Sequence, residues 1–157
     1  MSSSLSGKLS IEIEAKSSAR SMYEANAKRL YDVPKLCPTY IPKVDLVEGK
    51  WEDVGAVVNF HLAHGGKTVI SKEIIESKDD EKLSVTFNLI GGELVEEAYK
   101  SIKFTFQAIP KKEGCLSRWS IDYEKLNPDI PDPKELLPFA ADLTREIDDT
   151  LMKISQE

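Results

Sequence analysis

The longest regular pattern of apolar positions lies at the end of the chain. Over residues 134–155 they fall at Leu136, Ala140, Leu143, Ile147, Leu151 and Ile154, spaced by four, three, four, four and three. That spacing holds them on one face of an amphipathic helix. At 1.5 Å per residue the helix is about 33 Å long, enough to cross a small domain. Asp132, Pro133 and Glu135 mark its start as a capping acid, a proline suited to the first helical position and an acid able to reach back. Pro138 lies further in, where it removes a backbone bond, so a bend is predicted there.

Upstream the period is mostly two. Residues 8–16 alternate strictly, with Leu9, Ile11 and Ile13 on one side and Lys8, Ser10, Glu12 and Glu14 on the other, as a strand with one wet face does. Two short helices follow at 18–26 and 28–36, burying Met22, Leu30, Val33 and Leu36, and Pro38 ends the second. Residues 40–47 form a short strand whose Pro42 places it at a sheet edge or on a bulge. Residues 48–55 are a loop. Strands are then predicted at 56–63, 67–77, 82–90, 99–109 and 115–125. They are separated by His64-Gly65-Gly66, the charged turn 78–81, Gly91-Gly92 and a Lys-Lys-Glu-Gly turn. The proline-rich segment 127–133 leads into the long helix.

Strand, two short helices, six strands and a long helix make an α+β pattern with an antiparallel meander. A seven-stranded sheet with one dry face and one long amphipathic helix is satisfied when the sheet curls around the helix. Large side chains between them either fill the space as a solid core or leave a cavity.

With 157 residues the chain is one domain, 1–157, large enough to need no disulfide or metal. Its net charge of -6 argues against a nucleic-acid partner and an anionic membrane surface. The Ser-rich start, residues 1–8, lacks the apolar core of a signal peptide, and no run approaches a membrane span. Cys37 and Cys115 form no CxxC pair and are expected as free thiols. A soluble, cytoplasmic protein, monomer or weak homodimer, is expected.

Several stretches in this order, EGKWEDVG, KEIIE, GGELVEEAYKSIKFTFQ, RWSIDYEK and the helix start around Glu135-Leu136-Leu137, resemble the major latex protein family. That family lies within the plant group of birch pollen allergens and pathogenesis-related class ten proteins. The resemblance spans essentially the whole chain. It implies the helix-grip fold, a hydrophobic cavity under the C-terminal helix, and binding of apolar metabolites, hormones or sterol-like compounds, with roles in defence and specialised metabolism. Some relatives are enzymes of alkaloid or terpenoid biosynthesis, so a cofactor-free isomerase or cyclase is the competing expectation. Two departures narrow the reading. Only Gly49 and Gly55 remain of the family's glycine-rich loop, which lacks the lysine, serine and following helix of a phosphate site. The turns at Ala63-His64-Gly65-Gly66 and Gly91-Gly92-Glu93 lack the gate and latch of the abscisic-acid receptors.

Alternation assigns an inward set of Leu9, Ile11, Ile13, Val58, Phe60, Leu62, Ile70, Val85, Phe87, Leu89, Phe104, Phe106, Trp119, Ile121 and Tyr123, joined by Leu143 and Ile147 from the helix. From Val58 onward these are the candidate ligand-binding residues, together with Glu73 and Tyr99. Glu73 lies in a strand resembling the family's bulged strand, where an acid commonly points inward. It and Tyr123 are candidate catalytic groups, and a structural hydrogen bond or an outward salt bridge is the plainer role for Glu73. His61 falls on the outer face and His64 in a turn, so no metal site is expected and no cofactor is implied. Cys115 reads as apolar filler, and the acidic residues 93–97 and the turn 78–81 as solvated surface. The cavity mouth is expected among the 48–55 loop, the His64-Gly65-Gly66 turn, Gly91-Gly92 and the helix start near Pro138.

Overall fold

The computed structural model describes residues 5–93 and 98–155. Its elements are β1 (Ser6–Ala15), α1 (Ala19–Ala27), a 3-10 turn (Leu30–Asp32), α2 (Val33–Leu36), β2 (Lys43–Glu48), β3 (Val57–His64), β4 (Lys67–Asp79), β5 (Ser84–Gly92), β6 (Tyr99–Pro110), β7 (Cys115–Lys125) and α3 (Leu136–Ser155). The strands form one antiparallel seven-stranded sheet in the order β1-β7-β6-β5-β4-β3-β2. This is the predicted α+β architecture, with α3 on the concave face.

Most elements follow from local chemistry. Ser18 caps α1, its side chain accepting from the Ser21 amide at 3.1 Å. The β3–β4 hairpin turns through Gly65 and Gly66, with φ of 62° and 79°. Positive φ at both central residues is what the favoured two-residue hairpin turn requires. β2 is an edge strand, as expected, but it starts only after Pro42, and its irregularity, between Leu46 and Glu48, lies away from the proline.

Three predicted features differ. The long helix begins at Leu136, so Pro138 sits in the first turn, where amides have no intrahelical partner and its missing N–H costs nothing. The reason for a bend there disappears. Asp132 caps nothing: its Oδ1 accepts from Tyr123 Oη and pairs with Lys125, each at 2.7 Å. Gly91 and Gly92 do not break β5 but pair with Lys72 and Ser71 of β4. At Gly92, with φ of 93°, a Cβ would meet the Ile70 carbonyl oxygen at 2.2 Å, so the ladder closes there because the residue is glycine.

The turn 78–81 is not simply solvated either. β4 continues through Asp79, and Lys78 is half-buried, its Nζ donating to the Ala27 carbonyl at 3.3 Å and to that of Glu52. A cation thus sits on the C-terminal end of α1, which favours positive charge. Asp80 accepts from the hydroxyl of fully buried Tyr23. Of the acidic run, Glu93 is exposed and 94–97 lie outside the described residues, as do 1–4 of the Ser-rich start.

Along α3 the buried face includes Leu136, Leu143 and Ile147 as expected, but Ile154 is exposed while Ala141, Thr144 and Asp148 are buried. The two polar residues fasten the helix. Asp148 accepts from the backbone amides of Lys16 and Ser17 at 2.9 and 2.8 Å, holding α3 to the corner between β1 and α1. Thr144 accepts from the indole N–H of Trp119 at 2.9 Å.

Candidate functional site

Between the concave sheet face, the short helices and α3 lies a cavity of about 100 Å³. The sheet contributes Phe60, Leu62, Glu73, Phe87, Phe104, Trp119 and Ile121; α3 contributes Leu136, Phe139, Ala140, Leu143 and Ile147; and Asn26, Leu30, Val33 and Ile41 close the remaining side. Side-chain packing makes the wall stiff. Phe60 and Phe87 meet edge to face at 5.8 Å between centroids, and Trp119 is fixed by its bond to Thr144.

Glu73 is the ionisable side chain of this wall. The β3–β4–β5 register places it opposite Val58 and Leu89, and both neighbouring residues of the same face, Ser71 and Ile75, are buried. Register shifts at Lys72/Glu73 and at Ile75/Ser77 flank it. Bulges of this kind sharpen twist and re-aim side chains, and here they bend the sheet on either side of the acid. One carboxylate oxygen, Oε2, accepts from Ser71 Oγ at 2.7 Å. Burial pushes its pKa up to about 7, opposed by the serine hydrogen bond. The outward salt bridge considered for this residue is therefore absent. Asn26, also in the wall, donates Nδ2 to the Met22 carbonyl one helical turn back, at 2.8 Å.

Nine of the candidate ligand-binding residues line this space: Phe60, Leu62, Glu73, Phe87, Phe104, Trp119, Ile121, Leu143 and Ile147. Val58, Val85 and Phe106 face inward but are sealed in the core at 0, 1 and 0 % exposure, Phe106 against Trp119. Ile70 is on the wrong face. It pairs with outward-facing His61, and its neighbour Val69, opposite Leu62, packs against the core instead. Leu89, Tyr99 and Tyr123 belong to a separate apolar cluster with Ile102, Ile121 and Leu136 towards the other end of the sheet. Tyr123 is not a cavity donor: its hydroxyl is committed to Asp132, which pushes its pKa up to about 12. Tyr99 Oη donates to the Pro131 carbonyl. Leu89 and Tyr99 border a second, more polar cleft of about 210 Å³ with Gly91, Gly92 and Lys100.

Sequence reasoning missed Asn26, Leu30, Val33, Ile41, Leu136, Phe139 and Ala140 as wall residues. Leu30, Val33 and Leu136 were legible as buried, but not that they face open space. Phe139 stands between Tyr40 and His64, edge to face with each at 5.8 and 5.4 Å. Two of the segments expected at the mouth, the His64 turn and the α3 start, thus pack on each other, and Trp51 of the 48–55 loop packs on Tyr31. His61 Nε2 meets Asp45 Oδ2 at 2.8 Å across β2 and β3, and among the described residues no cluster of ligating side chains could hold a metal. Cys37 and Cys115 are buried free thiols. Burial pushes both pKa values up, to about 12 for Cys37, which leaves them unreactive. No helix among the described residues is long and apolar enough to cross a membrane.

A curved antiparallel sheet gripping one long helix over an apolar cavity defines a helix-grip domain. The chain belongs to the pathogenesis-related protein Bet v 1 family, whose model matches residues 4–154. Within that family it is similar to MLP-like protein 43 of Arabidopsis thaliana, 38% identical over 96% of each chain. The crystal structure of ginseng major latex-like protein 151 from Panax ginseng has 39% identity and a TM-score of 0.88, over 92% of this chain and 97% of that one. Norcoclaurine synthase from Thalictrum flavum, 21% identical with a TM-score of 0.72 over 97% of this chain and 87% of that one, shares the fold.

Proposed function

We propose that the chain binds and carries an apolar small molecule, a plant metabolite, hormone or sterol-like compound, in the cavity beneath α3, as a cytoplasmic monomer or weak homodimer. The observation that carries this reading is the cavity wall: aromatic and aliphatic side chains from the sheet, the 3-10 turn, α2 and α3, with a single carboxyl and a single amide among them. Removing apolar ligand surface from water there contributes roughly 25 cal/mol per Å². Membership of a family whose proteins bind small hydrophobic ligands supports the same reading. Native mass spectrometry of protein purified from plant tissue tests it. A stoichiometric apolar adduct is expected, and a homogeneous apo mass together with no saturable uptake of an environment-sensitive dye contradicts it.

One observation favours a second reading, a cofactor-free isomerase or cyclase of alkaloid or terpenoid (including iridoid) precursors. Glu73, buried in the wall with its proton balanced near neutrality, has the properties of a general base. Tyr123, committed to Asp132 outside the cavity, adds nothing to that chemistry. The two readings separate on turnover. Under the enzyme reading Glu73→Gln slows conversion of a precursor by about 10² to 10⁴; under the carrier reading candidate precursors bind and are recovered unchanged.

A further inference from the structure

Burying Glu73 creates an electrostatic demand that the protein itself does not meet. The residue is 7% exposed, and of its two carboxylate oxygens only Oε2 has a partner, the Ser71 hydroxyl. Oε1 has no donor among the described residues. It opens on the cavity rather than being sealed in the protein, so whatever occupies the cavity is what satisfies it, and a carboxylate oxygen left bare there is costly. Among the described residues no side chain of the wall donates to it. Asn26 gives one of its two Nδ2 hydrogens to Met22, and the indole N–H of Trp119 is taken by Thr144.

We propose that the cavity selects apolar molecules carrying a hydrogen-bond donor, a hydroxyl or an ammonium group, at the end that meets Glu73, and rejects molecules with a carboxylate or a bare ether there. The inference rests on the binding function proposed above and specifies its ligand class. A hydroxyl donates to Oε1, and an ammonium also supplies the missing opposite charge. A ligand carboxylate would set two like charges together in a dry site. An ether oxygen has no hydrogen to give Oε1 and leaves it bare. The carboxyl, raised by burial to about 7, is mainly ionised and therefore acceptor-only in mildly alkaline solution.

The test is competition for a cavity-bound dye at about pH 8 by four molecules of matched chain length: octylamine, octanol, methyl heptyl ether and octanoate. Octylamine and octanol are expected to displace the dye at concentrations at least about tenfold lower than the ether or octanoate, the worth of one hydrogen bond to a charged group. In Glu73→Gln, whose side-chain amide both donates and accepts, the gap is expected to shrink to within about threefold. Near-ultraviolet circular dichroism establishes that this variant is folded; if it is not, the wild-type series decides alone. Octanoate or the ether binding as tightly as the alcohol and amine overturns the inference while leaving the binding function in place. So does a bound dye that none of the four displaces. Absence of saturable dye binding overturns both.

Discussion

Glu73 sets the residue-scale chemistry of this protein. Its folded pKa of about 7 lies above the 4.5 of an unperturbed glutamate, so between those limits the folded state holds a proton that the unfolded chain has released. Stability contributed by Glu73 is fully present below about pH 4.5 and is lost as pH rises through about 7. Glu73→Gln removes the dependence. Relative to wild type the variant should gain stability on going from about pH 5 to pH 8, by about 1–3 kcal/mol. Calorimetric unfolding across that range checks this, and parallel wild-type and variant curves contradict it. Asp148 gives the opposite result. Its carboxylate satisfies two backbone amides at a corner that α3 must hold, so Asp148→Ala should cost about 2–4 kcal/mol in denaturant unfolding. A loss below about 0.5 kcal/mol would show the amides satisfied some other way. Phe106 packs in solid core against Trp119, so Phe106→Trp should destabilise by about 1–3 kcal/mol, read by the same method. An unchanged midpoint would mean that free space adjoins it. At this scale alternation was legible wherever apolar and polar residues strictly alternate, as in β1. It failed in β4, where Val69-Ile70 and Ile74-Ile75 are adjacent apolar pairs that fit either parity, and only the pairing with β3 decides which member faces in.

The element order, the hairpin pairing of β3 to β7 and the edge position of β2 could be read from periodicity and turn residues, because glycines, prolines or charge clusters separate those strands, whereas the pairing of β1 with β7 leaves no local mark. Bulges could not, since one extra residue leaves no compositional mark, and they shift register on both sides of Glu73. The glycine pair ending β5 was misread for a related reason: Gly92 signals a bend, and here it is a positive-φ ladder position against the Ile70 carbonyl. Gly92→Ala should therefore open the β4–β5 end. Hydrogen exchange at Glu93, whose amide bonds to the Ile70 carbonyl, should accelerate in that variant. Unaltered protection would show that the strand end tolerates a Cβ. At the helix, a start two residues later than expected turns Pro138 from a defect into an ordinary first-turn proline.

Across the whole molecule, alternation identified a dry face but not how much of it is covered by other side chains. Val58, Val85 and Phe106 meet the core, while Phe60, Phe87 and Trp119 meet open space, and nothing in their spacing distinguishes the two groups. The difference arises from where α1, α2 and α3 cross the curved sheet. The same placement brings Leu30, Val33 and Phe139 to the cavity, although no periodicity in their own segments points there. The central claim is that this space is a binding site, and Ala140 on α3, small and facing it, gives the most direct test. Dye titration of wild type against Ala140→Phe, with thermal unfolding measured on both, should show one saturable site in wild type. The variant should lose at least about tenfold in affinity with its unfolding midpoint within a few degrees, since an aromatic ring then fills empty volume. Unchanged dye affinity in a variant that folds as well as wild type would contradict the account.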